Sequence, residues 1–100
     1  MLETDEIKLA EIQTVRRQIL RLLHATSTVG ANEKTLLNAL QCAGYPVLTH
    51  EIRKHLEYLD NLKAIEIIDR DRATWSAKIL PYGVDIVEYA VKAPPGIARE

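Results

Sequence analysis

Apolar residues recur at helical spacing over the first quarter of the chain. Between about Asp5 and Ala25 they follow one another at steps of three and four, which places them on one stripe of a helix; they are Ile12, Val15, Ile19, Leu22 and Leu23. Arg16, Arg17 and Arg21 lie off this stripe. The run Ser27-Thr28-Val29-Gly30 interrupts the pattern. The spacing therefore predicts one long helix before residue 27.

A second helix is predicted to follow Asn32. Asn32 is a favourable N-cap, and Glu33 in the first turn suits the positive end of the helix dipole. Gly44 is expected to end the helix in the left-handed conformation, and Tyr45-Pro46 cannot continue it because proline lacks an N–H. The predicted buried side consists of Leu36, Leu37 and Leu40.

A third helix is predicted over residues 49–63, with Thr49 as its N-cap. Its apolar positions recur at steps of four, three and three and are predicted to face inward; they are Ile52, Leu56, Leu59 and Leu62. The opposite face is then predicted to be exposed, and it carries His50, Lys54, Glu57 and Asn61, flanked by Arg53 and Tyr58.

Alternating apolar and polar residues next predict two short strands, at Ile65-Glu66-Ile67 and over residues 74–79, joined by the charged turn 69–72. Pro81 suits the first position of a last helix. Its apolar face is predicted to consist of Val84, Ile86, Val87 and Val91. Pro94-Pro95-Gly96 is expected to end regular structure. The chain then divides into a domain over residues 1–92 and a flexible C-terminal tail over 93–100.

This order of elements is typical of a winged helix-turn-helix. The predicted fold is mainly α, with a three-helix core, a two-stranded wing over residues 65–79 and a C-terminal helix. In that architecture the third helix enters the DNA major groove, and the wing lies at the flanking backbone.

Composition restricts the class of protein. The 100 residues, 47% of them hydrophobic, fit one domain with its own core. The single Cys42 cannot close an intrachain disulfide and is expected to be a small buried residue. Acidic residues stand where a signal peptide would be basic, and no apolar run is long enough to cross a bilayer. We therefore expect a soluble, cytoplasmic protein that does not contact a membrane.

Charge leaves two interpretations of the third helix open. The formal net charge of -1 disfavours indiscriminate binding to nucleic acid. Over residues 49–63, the bases Arg53, Lys54 and Lys63 are balanced by the acids Glu51, Glu57 and Asp60. The exposed face is either a set of base and phosphate contacts or an ordinary solvated surface. The candidate DNA contacts are His50, Arg53, Lys54, Tyr58 and Asn61 on the helix, with Arg70 and Arg72 on the wing.

Other chemistry is not predicted. His50 and His55 are five residues apart and lie on different helical faces, and no cluster of Cys and His has zinc spacing. The chain has no nucleophile with a base at recognisable spacing and no glycine-rich phosphate loop. We therefore expect no metal, no cofactor and no enzymatic activity. Trp75 is expected to pack in the core or on the wing rather than to stack on a ligand.

A homodimer is the predicted assembly. Ile7 and Ile12 extend the apolar stripe of the first helix beyond what a compact core needs. Together with Val84, Val87 and Val91 they are the predicted dimer interface, which would place two third helices on one side of a two-fold axis. The alternative is that the acidic first turns simply fray.

Several short stretches also resemble one family. Ala31-Asn32-Glu33 opens the second helix, Arg53 and Leu56 lie in the third, and Gly83-x-Asp85-Ile86-Val87 and Pro95-Gly96-Ile97 follow. Together they resemble the small winged-helix proteins of Mu-like phages and prophages, often described as ArsR-like transcriptional regulators. The chain departs from that pattern at Leu80, where the family tends to have threonine, at Tyr89, where it has a small residue, and in its more acidic third helix.

The resemblance implies DNA binding but not metal sensing, because the ligand cluster of the metal-responsive branch is missing. The leading hypothesis is a phage or prophage transcriptional regulator that binds double-stranded DNA. The alternative is a winged-helix module that does not bind DNA and uses its first and last helices to dimerise or to bind another protein.

Overall fold

Four helices and one small sheet make up the structure. A computed structural model describes residues 2–26 and 29–99. In chain order the elements are α1 (Leu2–Thr26), β1 (Ala31–Asn32), α2 (Glu33–Cys42), α3 (Thr49–Asn61), β2 (Ile65–Ile68), β3 (Ser76–Ile79) and α4 (Pro81–Val87). The described part is therefore mainly helical with a small β-sheet, as predicted. Ser27 and Thr28, where a break was predicted, and Glu100 at the end of the predicted tail lie outside the described residues.

The sheet contains one strand that the hydrophobic pattern did not predict. It is antiparallel with the order β1-β3-β2. The hairpin of β2 and β3 pairs Ile65 with Ile79 and Ile68 with Ser76. On the other edge of β3, Ala31 pairs with Ala77. β1 is only two residues long, so it shows no alternation that a sequence pattern could reveal.

The core joins all four helices to the sheet. Its fully buried side chains include Ile19 and Leu23 from α1, Leu40 from α2, Leu56 from α3 and Ile86 from α4. The predicted stripes are largely confirmed. At their margins Leu22, Leu37 and Leu62 are only half-buried, and Ile12 is exposed because it precedes the part of α1 that packs in the core. Leu20, which was not predicted, is fully buried.

The structure confirms the predicted N-cap of α2 but not that of α3. The Asn32 side chain accepts a hydrogen bond from the Thr35 amide at 2.8 Å, which confirms it as the N-cap of α2. The N-cap of α3 is Leu48, so the predicted cap at Thr49 is wrong by one residue. The reason is that the Glu51 carboxylate accepts the Leu48 amide at 2.8 Å. That bond satisfies an N-terminal amide without a side chain at the cap position.

The end of the chain packs against α1, although a flexible tail was predicted there. We call residues 93–99 the C-terminal strap. Ile97 is only 3% exposed. The Ala98 amide donates to the Gln13 carbonyl at 3.1 Å, and Gln13 Nε2 donates to the Pro95 carbonyl at 2.7 Å. The proline-rich sequence ends regular secondary structure, as expected, but Ile97 supplies a buried apolar anchor that keeps the strap on the core.

Cys42 is exposed, so the expectation of a buried cysteine is wrong. It is the last residue of α2, where the helix leaves the core.

Among the described residues, no helix is both long enough and apolar enough to cross a membrane.

The helices α2 and α3 end in the same hydrogen-bonded motif but with different residues in the left-handed position. Gly44 has φ +90° and Lys63 has φ +65°. In α2 the amides of Gly44 and Tyr45 donate to Gln41 and Leu40; in α3 the amides of Lys63 and Ala64 donate to Asp60 and Leu59. This pair of hydrogen bonds ends a helix through a residue in the left-handed conformation. Glycine adopts that conformation without strain, and lysine does not.

Exchanging these two residue types should change stability in opposite directions. Lys63→Gly is expected to raise the free energy of unfolding by about 0.5–1 kcal/mol, because it removes the strain of a Cβ in left-handed backbone. Gly44→Ala is expected to lower it by about 1 kcal/mol, since a Cβ there meets no atom within 4 Å and only the backbone conformation opposes it. Urea denaturation measures both, and equal stability of the three proteins would contradict the assignment.

Candidate interaction surface on the third helix

One face of α3 is open to solvent. Because Ile52, Leu56 and Leu59 are buried in the core, the opposite side of the helix is turned outward. We call this side the α3 face; it consists of Thr49, His50, Lys54, Glu57 and Asn61, all exposed. The predicted exposure of His50, Lys54, Glu57 and Asn61 is therefore confirmed. Within the described part of the chain, Lys54 makes no ion pair.

Arg53 does not belong to this face, although it was predicted to contact DNA beside Lys54. Its Nε and Nη2 donate to the two carboxylate oxygens of Glu33, each at 2.8 Å. Nη2 also donates to the Ala73 carbonyl at 2.8 Å. The guanidinium thus links α2 and the hairpin turn to α3. Its Nε–Nη2 edge is already hydrogen-bonded within the protein.

Trp75 completes this arrangement from the hairpin. Its amide donates to the Glu33 carboxylate at 2.6 Å, and its carbonyl accepts the Glu33 amide at 2.8 Å. The Arg53 guanidinium stacks 4.4 Å from the centre of the Trp75 indole, and that of Arg70 stacks at 5.1 Å. We call Glu33, Arg53, Arg70 and Trp75 the Glu33 cluster. Trp75 is half-buried and packs on the hairpin, in line with the expectation for this residue.

The electrostatics of the cluster favour its charged form. Hydrogen bonding from Arg53 lowers the pKa of the Glu33 carboxyl, and this effect outweighs the desolvation that acts in the opposite direction. The same hydrogen bond raises the pKa of Arg53. Arg53 and Glu33 therefore remain ionised at neutral pH, and their charges compensate each other.

The arginines of the hairpin turn also face acids. Arg70 Nη2 lies 2.9 Å from an Asp60 oxygen, and Arg70 Nη1 lies 3.9 Å from Glu57. Arg72 Nε lies 3.8 Å from Asp69. Glu57 and Asp60 of α3 thus pair with Arg70, and Asp69 pairs with Arg72 within the turn. The described residues consequently form no continuous positive stripe from α3 to the hairpin.

Tyr58, a further predicted DNA contact, lies beneath the C-terminal strap. The Arg16 guanidinium stacks 3.7 Å from the centre of its ring, and Arg16 Nη1 donates to the Gly96 carbonyl at 3.3 Å. A Cβ at position 96 would collide with the Tyr58 hydroxyl, so glycine is what allows the strap to approach. The half-buried Tyr58 is thus a packing residue here and is not part of the α3 face.

His55 is the buried histidine of α3. Its Nδ1 accepts a hydrogen bond from Arg16 Nε at 3.3 Å, which requires an unprotonated nitrogen. Burial, with a smaller contribution from the Arg16 charge, lowers the pKa of His55 to about 4. Its position three residues after Ile52 on the buried stripe was the signal that sequence reasoning could have used. No three His, Cys, Asp or Glu side chains of the described chain are grouped to hold a metal ion.

The five residues predicted as a dimer seam differ in exposure and surroundings. Ile7 is 60% exposed, and Ile12 lines a groove with the turn from Gly44 to Leu48. Val84 and Val87 are half-buried on α4. Val91 was predicted on the last helix, but α4 ends at Val87, because Tyr89 at φ +60° closes it. Val91 lies instead in a separate hollow beside Arg17 and Tyr89.

Comparison with known proteins adds no relatives: no family model, no curated protein and no solved structure matches this chain. The proposals that follow therefore rest on the residues and contacts described above.

Removing the carboxylate of the Glu33 cluster should destabilise the fold. Glu33→Gln is expected to lower the free energy of unfolding by about 1–2 kcal/mol, because it breaks a charge-assisted pair that solvent screens only in part. The folded-state pKa of Glu33 is lowered, so its stabilisation is present above the unfolded value of about 4.3 and is lost as the pH falls through the folded value. Urea denaturation from pH 7 to 3 should show the difference between variant and wild type shrinking below about pH 4.3.

Glu66→Gln is the matched control. Glu66 is exposed and lies 3.6 Å from Lys78 on the same hairpin. Its replacement is expected to change stability by less than about 0.5 kcal/mol at either pH. Equal effects of the two substitutions would contradict a special role for Glu33.

Proposed function

We propose that this chain is a winged-helix DNA-binding protein and acts as a transcriptional regulator of the kind found in phages and prophages. Support comes mainly from the arrangement of α3: it is the third helix, it is followed by a hairpin to which the Glu33 cluster attaches it, and its outer face is uncovered. A duplex major groove of about 12 Å admits one α-helix in this way. In this proposal α3 lies in the groove, and the β2–β3 hairpin is the wing.

The groove contacts are assigned to side chains of the α3 face that make no hydrogen bond or ion pair with other described residues. Lys54 is the cation of the α3 face, and lysine pairs with guanine edges or phosphates. Asn61 has the donor and acceptor pair that reads adenine. His50 lies near the N-terminal end of α3, the end from which helix-turn-helix proteins contact bases.

The arginines take different roles in the proposal. Arg53 positions α3 relative to the wing through Glu33 and is not assigned a base. Arg70 and Arg72 are exposed, with 45% and 74% of their side-chain surface accessible. Exposed ion pairs contribute only about 0–1 kcal/mol each, so a DNA phosphate can replace their carboxylate partners. Tyr58 is left out because the strap covers it.

A salt titration with two variants tests the proposal. Fluorescence anisotropy of a duplex pool that includes the DNA flanking the gene should show saturable binding that weakens steeply with salt. Lys54→Ala is expected to weaken binding about tenfold and to reduce the salt slope by about 1 if the lysine contacts a phosphate. Lys8→Ala is the control, because Lys8 is also exposed but lies on α1, in the groove beside the α2–α3 turn. Equal effects of both variants would contradict the assignment of Lys54.

The second candidate is a winged-helix module that binds a protein or a second copy of itself. It is favoured by the paired arginines and by the apolar side chains that α1 leaves exposed, among them Ile7 and Leu9 at 60% and 54%. It predicts no saturable binding to duplex DNA at about 0.1 M salt, where phosphate contacts still contribute. That result for the wild-type protein would replace the DNA-binding proposal with this one.

A further inference from the structure

A small hollow lies between the end of α4 and the C-terminal strap. We call it the Arg17 hollow; its volume is about 300 Å³. Three cations line it, together with three apolar side chains: Arg17, Lys92 and Arg99, and Ile86, Tyr89 and Val91. Among the described residues, none of the three cations has a carboxylate within ion-pair distance. Glu88, the acid that ends α4, pairs instead with His24 at 3.1 Å.

Arg17 is the unusual member of this set. It is only 1% exposed, and its guanidinium stacks 4.6 Å from the centre of the Tyr89 ring. Nη1 donates to the Ala98 carbonyl at 3.1 Å, but the buried Nε has no hydrogen-bond partner among residues 2–26 and 29–99. A buried cation without a counter-charge is costly, and nearly all buried polar atoms in proteins find a partner. The part of the hollow that the described residues form therefore lacks an acceptor with negative charge.

The geometry of the free edge indicates the kind of acceptor. Nη1 donates to the strap, so the Nε side of the guanidinium is where the described residues leave a donor unused. Elsewhere in the same chain Arg53 uses Nε and Nη2 to hold the Glu33 carboxylate at 2.8 Å on both sides. Planar carboxylates match this edge by two parallel hydrogen bonds.

We propose that the Arg17 hollow binds a small organic acid. The carboxylate would pair with the Arg17 guanidinium that lines the hollow, with Lys92 and Arg99 adding positive charge, and the apolar body would lie against Tyr89, Ile86 and Val91. A volume of about 300 Å³ is at the lower end of the usual range for ligand pockets, which limits the ligand to about the size of benzoate. A duplex phosphate is a poorer match, because Arg17 has almost no surface to present to a large partner. The proposal holds whether or not α3 binds DNA.

The test is an NMR titration of the full chain with sodium benzoate, with benzamide as the neutral analogue and with inorganic phosphate, all at constant ionic strength. Benzoate is expected to cause saturable shifts of the amides from Tyr89 to Ala93 and of the Arg17 side-chain N–H. Benzamide should bind at least about tenfold more weakly, because it lacks the charge that pairs with the guanidinium. Binding of benzamide as tight as that of benzoate, or tighter binding of phosphate, would overturn the proposal.

Two arginine variants one helical turn apart provide the matched comparison. Arg17→Met removes the buried cation and should weaken benzoate binding at least about tenfold. It is expected to fold, since replacing a buried unpaired charge by an apolar side chain of similar length relieves desolvation. Arg21→Met removes an exposed cation of α1 outside the hollow and should leave binding unchanged. Equal losses in both variants would overturn the proposal. The double variant Lys92→Ala, Arg99→Ala leaves Arg17 in place and should weaken binding several-fold.

The carboxylate could also come from the chain itself. Glu100 follows Arg99 and lies outside the described residues. The deciding variant carries Glu100→Gln followed by a Gly-Ser extension, so that neither the side chain nor the chain end presents a carboxylate at this position. If it binds benzoate at least about tenfold more tightly than the wild type does, the chain supplies its own carboxylate and the proposal of a free acid is overturned. Unchanged benzoate affinity in this variant supports a free organic acid.

Discussion

A single buried carboxylate joins α2, α3 and the hairpin. Glu33 begins α2, yet its side chain accepts hydrogen bonds from Arg53 on α3 and from the amide of Trp75 on the hairpin. Since a desolvated carboxylate is costly without donors, these contacts have to form together. They fix the hairpin relative to α3, and the position of the hairpin determines which surface of α3 remains open.

The same carboxylate determines the charge of the open surface. By residue type, Arg53 is as good a DNA contact as Lys54, and the two are neighbours in sequence. In the structure Arg53 is neutralised by Glu33, while Lys54 remains without an acid partner among the described residues. Arg70, stacked on Trp75, lies close to Asp60 in an exposed pair, and it stays with Arg72 among the cations that a phosphate can reach. The chain thus divides its cations between those that support the fold and a smaller set available to a partner, which is consistent with a net charge near zero.

Local sequence patterns predicted the parts of the fold that depend on local interactions. Helical periodicity identified the buried stripes of α1, α2 and α3, and Asn32 and Gly44 were correctly predicted as helix ends because capping involves only neighbouring residues. The contacts that these local patterns did not predict are long-range. Glu33 and Trp75 are 42 residues apart, and the strap that covers Tyr58 returns to Gln13, 82 residues away. No period or propensity encodes such pairings, so Arg53 and Tyr58, which flank the predicted exposed face, were predicted as DNA contacts.

We propose that the α3 face, and not the exposed apolar side of α1, is the surface that meets the partner, and that this partner is DNA. The first measurement to make is the change in backbone amide NMR shifts of the labelled protein when a short duplex is added at low salt. DNA binding through α3 is expected to concentrate the shifts at His50, Lys54, Asn61 and the hairpin turn, and the shifts should disappear as salt is raised. Shifts confined to the stretch from Ile7 to Ile12, or no shifts at all, would contradict it.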